Sequence, residues 1–147
     1  MDIRTANLEN LDELVLLFEA YRAFYKKNPD AVGAKIFLQE RIEKNESVIF
    51  MAYSDSGEAV GFTQLYPLFS STRMKRLWLL NDLFVKEEFR GQGFSKTLIE
   101  RAKQLAQETG ACEIMLETAK TNDIGNQLYP TMGFELGTDF NWYHLDI

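Results

Sequence analysis

One cysteine, one histidine and three prolines are all that 147 residues contain of those types. The lone Cys112 forms no internal disulfide and reads as a small buried hydrophobe. The lone His144 has no partners for a metal-ligand cluster, so no metal site is expected, and a structural role suits it better than a catalytic one. Positive charge is in deficit: 16 Lys and Arg stand against 22 Asp and Glu, a net charge of −6. Nonspecific nucleic-acid binding needs a basic surface and is excluded as an expectation. The acidic balance suits a cationic substrate steered toward an acidic mouth, and it equally serves solubility. No apolar run approaches a membrane span. Met1-Asp2-Ile3-Arg4 lacks the apolar core of a signal peptide. A cytoplasmic protein with no membrane partner is therefore expected. The length and the 46% hydrophobic content fit one domain over residues 1–147.

What is present alternates strands and helices. Asp2–Ala6 reads as a first strand. Asn7 is a helix cap, and Leu11, Leu14, Leu17, Phe18, Tyr21 and Tyr25 follow helical spacing over about Leu8–Lys26. Tyr21, Phe24 and Tyr25 are expected in the core, with one or two left to line a pocket. Asn28-Pro29 breaks this helix, and a second carries Ala34, Phe37, Leu38, Arg41 and Ile42 on one side. Ser47–Tyr53 and Ala59–Phe69 form a hairpin about Ser54-Asp55-Ser56-Gly57, with Pro67 marking an end or irregular edge. Met74–Val85 is the next strand. Cys112–Thr118 is another, a short helix covers about Ile124–Met132, and Phe134–Leu136 and Phe140–Leu145 read as two closing strands.

The chain is organised around Asn81–Ala106. An apolar strand runs into Arg90-Gly91-Gln92-Gly93, and a helix follows with Leu98, Ile99, Ala102, Leu105 and Ala106 on one face. Gly91 and Gly93 permit a tight bend and a close ligand approach. The first amides of the helix have no internal partner and, with the helix dipole, attract a phosphate. Arg90 adds fixed positive charge. Two glycines alone make a plain turn as readily as a phosphate cradle.

Two motifs decide between those readings. Arg90-Gly91-Gln92-Gly93-Phe94-Ser95 resembles the Arg/Gln-x-x-Gly-x-Gly/Ala loop of the GNAT N-acetyltransferases. Asn122-Asp123-Ile124-Gly125-Asn126-Gln127-Leu128-Tyr129-Pro130-Thr131-Met132-Gly133-Phe134 resembles the family's Asn-x-x-Ala-x-x-Leu-Tyr-x-x-x-Gly-Phe helix. The likeness covers nearly the whole chain. It departs at Ser95, at Gly125 where alanine is usual, and at Pro130, which predicts a kink after Tyr129. The resemblance implies a mixed α/β fold. Its mostly antiparallel sheet has about seven strands, splayed between two central ones, and about four helices flank it.

It also implies an acyltransferase that moves the acetyl group of acetyl-CoA to a primary amine of a small, cationic molecule. The amides of Arg90, Gly91, Gln92, Gly93, Phe94 and Ser95, with Lys96, would hold the pyrophosphate. The backbone of Leu83, Phe84 and Val85 would pair with the pantetheine arm. Asn122 and Asn126 stand where the family contacts cofactor or fixes the loop, and Asn122 equally reads as a helix cap. Tyr129 matches the acid that protonates the leaving thiolate. Asp82 is the best carboxylate for base or amine anchor, because Asn81 replaces the first member of the acidic pair of polyamine-acetylating relatives. Strand alternation places Trp78, Leu80, Asp82 and Phe84 on one face. Direct transfer follows, with a backbone amide near Val85 polarising the carbonyl. A protein lysine or N-terminal acetyltransferase, and a non-catalytic acetyl-CoA-binding module, are the alternatives. A homodimer through the sheet edge or the C-terminal strands is expected, with Phe140, Trp142 and Tyr143 covering either that interface or the protein's own core.

Overall fold

Five strands make one sheet in the order β1 (Asp2–Thr5), β2 (Val48–Tyr53), β3 (Ala59–Ser70), β4 (Lys75–Val85) and β5 (Ile114–Met115). The first three junctions are antiparallel and β4–β5 is parallel. The computed structural model describes residues 1–147, which divide into one unit over Met1–Leu116, holding this sheet, and a second over Glu117–Ile147. The fold class is the mixed α/β one expected, with five strands where about seven were expected. Phe134–Leu136 and Phe140–Leu145 form no strand. Their aromatic content is a local preference, and a strand also needs a paired neighbour. Cys112–Thr118 contracts to Ile114–Met115 for the same reason, and Cys112 is half-buried instead of buried.

The helices of the first unit are α1 (Leu11–Phe24), α2 (Ala31–Glu43) and α3 (Phe94–Glu108). The chain enters α1 through a 3₁₀ turn at Leu8–Asn10, where the Asn7 side chain accepts from the Glu9 amide at 2.8 Å. Asp30 caps α2 by accepting from the Gly33 amide at 2.9 Å. Leu11, Leu14, Val15 and Leu17 of α1 pack with Ala34 and Leu38 of α2 against Ile49, Met51, Tyr53, Phe62 and Phe84 of the sheet. The opposite sheet face takes α3. Arg101 lies 4.4 Å over the Phe50 ring, and the Trp78 indole donates to the Thr109 hydroxyl at 2.9 Å. Leu98 and Ile99 are fully buried there, worth roughly 1.5–3 kcal/mol each relative to exposure.

Pro67 does not end β3; it pairs with Trp78 inside the strand. β2 has already ended at Val48, opposite Leu65, so Pro67 has a neighbour on one side only, where a missing N–H is tolerated.

In the second unit α4 spans Asp123–Thr131 and contains Pro130. The expected kink does not interrupt it. Pro130 falls in the last turn, where one lost backbone bond is the whole penalty. Bonds from Gly133 to the Pro130 carbonyl (3.1 Å) and from Phe134 to the Tyr129 carbonyl (3.1 Å) close the helix.

Candidate active site

The site is built on an irregularity in β4. Leu80 pairs with Leu65 and Asp82 with Gln64, so Asn81 has no residue opposite it and forms a bulge. The extra residue reverses the side-chain alternation. Leu65 and Gln64 are adjacent on β3 and point to opposite faces, so their partners Leu80 and Asp82 do too. The expectation of Trp78, Leu80, Asp82 and Phe84 on one face is corrected accordingly. Trp78 and Leu80 face α3, whereas Asp82 and Phe84 face α1 and α2.

Asp82 is buried and doubly held. Gln64 Nε2 donates to its Oδ2 at 2.8 Å, and Asn81 Nδ2 donates to its Oδ1 at 3.1 Å. The Ser47 hydroxyl donates to Gln64 Oε1 at 2.8 Å and so fixes which way that amide points. A carboxylate has about four acceptor positions, of which two are used, so Asp82 retains capacity for an ammonium or a water. Tyr66 lies in its field. Burial pushes the Tyr66 hydroxyl up to about 12; the Asp82 charge adds to this and Arg41 opposes it. Gln64, Ser47 and Tyr66 escaped the sequence analysis, although a glutamine inside the apolar run Val60–Leu65 is a readable sign of a buried polar role.

Beyond the bulge β4 loses its second neighbour. The β4–β5 ladder consists of Trp78–Ile114 and Leu79–Met115 alone, which leaves Leu83, Phe84 and Val85 unpaired on the β5 side. On the other side Gly61 faces Val85, and a Cβ at Gly61 would lie 2.6 Å from the Phe84 carbonyl oxygen, so only glycine lets β3 approach this closely.

The chain then makes a 3₁₀ turn at Glu87–Phe89 and enters the loop. Gly91 and Gly93 adopt φ of 75° and 91°, the left-handed region that glycine enters without strain, and so make the expected tight bend. Gly93 is the N-cap of α3, and no side chain caps that end. The opening amides of α3, at Phe94, Ser95 and Lys96, therefore point out of the helix without a helical partner. Arg90 is anchored by its Nε donating to the Val85 carbonyl at 3.0 Å, and its guanidinium lies over Phe24 (5.3 Å) and Phe84 (6.0 Å). Gln92 Nε2 donates to the Glu88 carbonyl at 3.2 Å. These two contacts hold the loop to the end of β4.

The end of α1 lies against the same strand. The Tyr21 ring is 5.7 Å from Phe62 and 6.2 Å from Phe84, edge-on to both. Phe24 and Tyr25 are exposed, contrary to the expectation of core packing. Phe18, Tyr21, Arg22, Tyr25 and Lys27 line a hollow of about 480 Å³.

In the second unit Asn122 caps α4. Its Oδ1 accepts from the Gly125 amide at 3.1 Å and its Nδ2 donates to the Thr118 hydroxyl at 2.8 Å. Asn126 Nδ2 donates to the carbonyls of Ala119 and Lys120 at 3.1 and 3.2 Å, tying the preceding loop to the helix. Tyr129 packs edge-on against Phe134, 5.8 Å between centroids. A Cβ at Gly125 would meet Asn122 Nδ2 at 2.5 Å and Tyr129 Cε2 at 3.2 Å. Glycine at this position is thus what lets the cap and the tyrosine crowd together. His144 is exposed in a segment without strand.

Comparison with known proteins agrees with this architecture. Residues 14–134 match the model of the Acetyltransferase (GNAT) family. The uncharacterized N-acetyltransferase YhfO of Bacillus subtilis is 42% identical over 147 residues, covering 100% of this chain and 98% of its own. A crystal structure of a probable acetyltransferase superposes with a TM-score of 0.95 at 40% identity, covering 100% of this chain and 98% of that one. An aminoglycoside N-acetyltransferase in complex with CoA shares the fold, with a TM-score of 0.83 at 22% identity over 99% of this chain and 95% of its own. The chain belongs to the GNAT acetyltransferase family, and its enzyme class is N-acetyltransferase.

Proposed function

We propose that this N-acetyltransferase uses acetyl-CoA as co-substrate and moves the acetyl group directly to a primary amine of a small molecule that is cationic in solution. One observation carries the reading: the run from β4 into α3. Its strand loses its β5 neighbour after Leu79, its loop turns through left-handed Gly91 and Gly93, and its helix begins without a side-chain cap. An unpaired backbone edge at Leu83, Phe84 and Val85 suits an extended pantetheine arm, which would add as a strand does. The amides from Arg90 to Lys96 suit a pyrophosphate. The CoA complex of the aminoglycoside enzyme supports the choice of coenzyme at the level of the fold. Asn122 and Asn126 contribute by holding the loop before α4 in place.

In this reading the amine arrives as an ammonium, anchored by Asp82, and gives its proton to that carboxylate directly or through a water. The neutral nitrogen forms a bond to the acetyl carbon as the carbon–sulfur bond breaks. A backbone amide near Val85 stabilises the charge that develops on the carbonyl oxygen. Tyr129, by its place in the second motif, supplies a proton to the departing sulfur, and the proton that the acetylated nitrogen sheds replaces it. No covalent enzyme intermediate is required. The reading places the chain in the cytoplasm, and as a homodimer whose contact includes the exposed Phe140, Trp142 and Tyr143.

The test is thiol release from acetyl-CoA with polyamines, amino-sugars, amino acids and lysine peptides, comparing the native chain with Tyr129→Phe. Release that depends on Tyr129 supports the reading. Acetyl-CoA binding without release for any acceptor removes the catalytic assignment, and absence of binding removes the coenzyme.

A further inference from the structure

The hollow at the end of α1 has a chemical character that narrows the acceptor. Three of its five lining residues are aromatic, Phe18, Tyr21 and Tyr25, and the other two, Arg22 and Lys27, are cationic. No carboxylate lines it. The nearby Glu19 offsets Arg22: its Oε1 accepts from Arg22 Nη1 at 2.7 Å, and its Oε2 accepts from the Asp30 amide at 2.7 Å. Lys27 enters no ion pair and no side-chain hydrogen bond, so its charge is free. The backbone places it with some strain. Lys26 adopts φ of 58°, a left-handed conformation that glycine takes more readily. The Lys26 and Lys27 amides then close onto the carbonyls of Ala23 (2.9 Å) and Arg22 (3.0 Å).

The hollow also adjoins the strand that carries Asp82. Tyr21 lines it and lies 6.2 Å from Phe84, which shares a sheet face with Asp82. An acceptor whose amine lies at Asp82 therefore extends past Tyr21 toward Lys27. A second ammonium at that end would meet the like charge of Lys27, which no ion pair offsets, and a carboxylate would meet an unlike one.

We propose that the acceptor carries its reacting, cationic amine and a carboxylate at opposite ends of an apolar body, as the side-chain amine of lysine does, and that the hollow takes that body between Phe18, Tyr21 and Tyr25 with Lys27 facing the carboxylate. This rests on the acetyl-transfer reading above and names its substrate class. Arg22 supports the same end, although Glu19 takes up much of its charge. Lys27 is thereby a specificity-determining residue. A merely structural lysine at a helix C-terminus would complement the helix dipole and affect stability alone.

The experiment uses matched acceptors that differ in the carboxylate: 6-aminohexanoate against pentylamine, and L-lysine against cadaverine. Steady-state acetylation is measured for the native chain, Lys27→Met and Lys27→Glu. Calorimetric binding of Nε-acetyl-lysine and N-acetyl-cadaverine, with CoA present, is measured in parallel. The native chain is expected to favour the carboxylate member by up to about fivefold in kcat/KM, the size of one exposed charge contact. Lys27→Met is expected to bring each pair within about twofold, mainly through KM, and Lys27→Glu to reverse the order. A carboxylate preference in product binding without turnover would support the hollow's assignment while removing the acetyl-transfer reading. Turnover with no carboxylate preference, or a preference that survives Lys27→Glu, would overturn the proposal and leave acetyl transfer standing.

Discussion

Gln64 Nε2 donates to Asp82 Oδ2 across 2.8 Å, between two buried side chains that face each other on β3 and β4. The contact exists because the Asn81 bulge turns Asp82 toward α1 and α2. Asp82→Asn keeps the shape and removes the charge. It is expected to lower turnover by about 10²-fold or more, in the range of a lost base, with acetyl-CoA affinity retained. Gln64→Leu strands a buried carboxylate oxygen and is expected to cost about 1–3 kcal/mol of stability. Urea denaturation of both single variants and the double variant measures the coupling, and additive effects would show that the contact is idle.

Gly125 is a second sensitive position. Alanine there gains about 1 kcal/mol of helix propensity and displaces the Asn122 cap, worth roughly the same. Little change in melting temperature is expected. Turnover should fall, because the new methyl group also presses on Tyr129. Thermal unfolding with parallel rate measurement checks this, and an unaltered rate would mean that Tyr129 tolerates the displacement.

Lys26 offers a test of backbone strain. Lys26→Gly relieves a left-handed φ of 58° and is expected to stabilise the chain by about 1 kcal/mol. Denaturant titration reads the sign, and destabilisation would contradict the strain assigned to this turn.

Two tyrosines predict an alkaline limit. Burial, with the neighbouring Glu13, raises Tyr53 from 10.0 to about 12, and burial with Asp82 raises Tyr66 over the same span. Raised folded values favour the neutral phenols, so their stabilising effect is complete below pH 10 and is lost as pH rises toward 12. Melting temperature should fall across that window, and less so in Tyr66→Phe than in the native chain.

The sequence made the β4–loop–α3 run legible because its signals are local: left-handed turns need glycine, and Leu98, Ile99, Ala102, Leu105 and Ala106 repeat with the helix. The Asn81 bulge was not legible, since counting by twos along a strand cannot register one inserted residue. The face of Leu80 was misassigned for that reason alone. Phe140 to Leu145 have strand-like composition and no partner strand, a condition set by distant residues. Tyr25 fits a helical stripe, yet it lies at the helix end, where the stripe runs past the core and lines a hollow, and Phe24 beside it is exposed.

Thiol release from acetyl-CoA by the native chain and by Tyr129→Phe, across the four acceptor classes, bears most directly on the account. The predicted result is release with at least one small amine, reduced about 10²-fold or more by Tyr129→Phe with acetyl-CoA binding preserved. Equal release by the two proteins, or none with any amine despite bound acetyl-CoA, would contradict it.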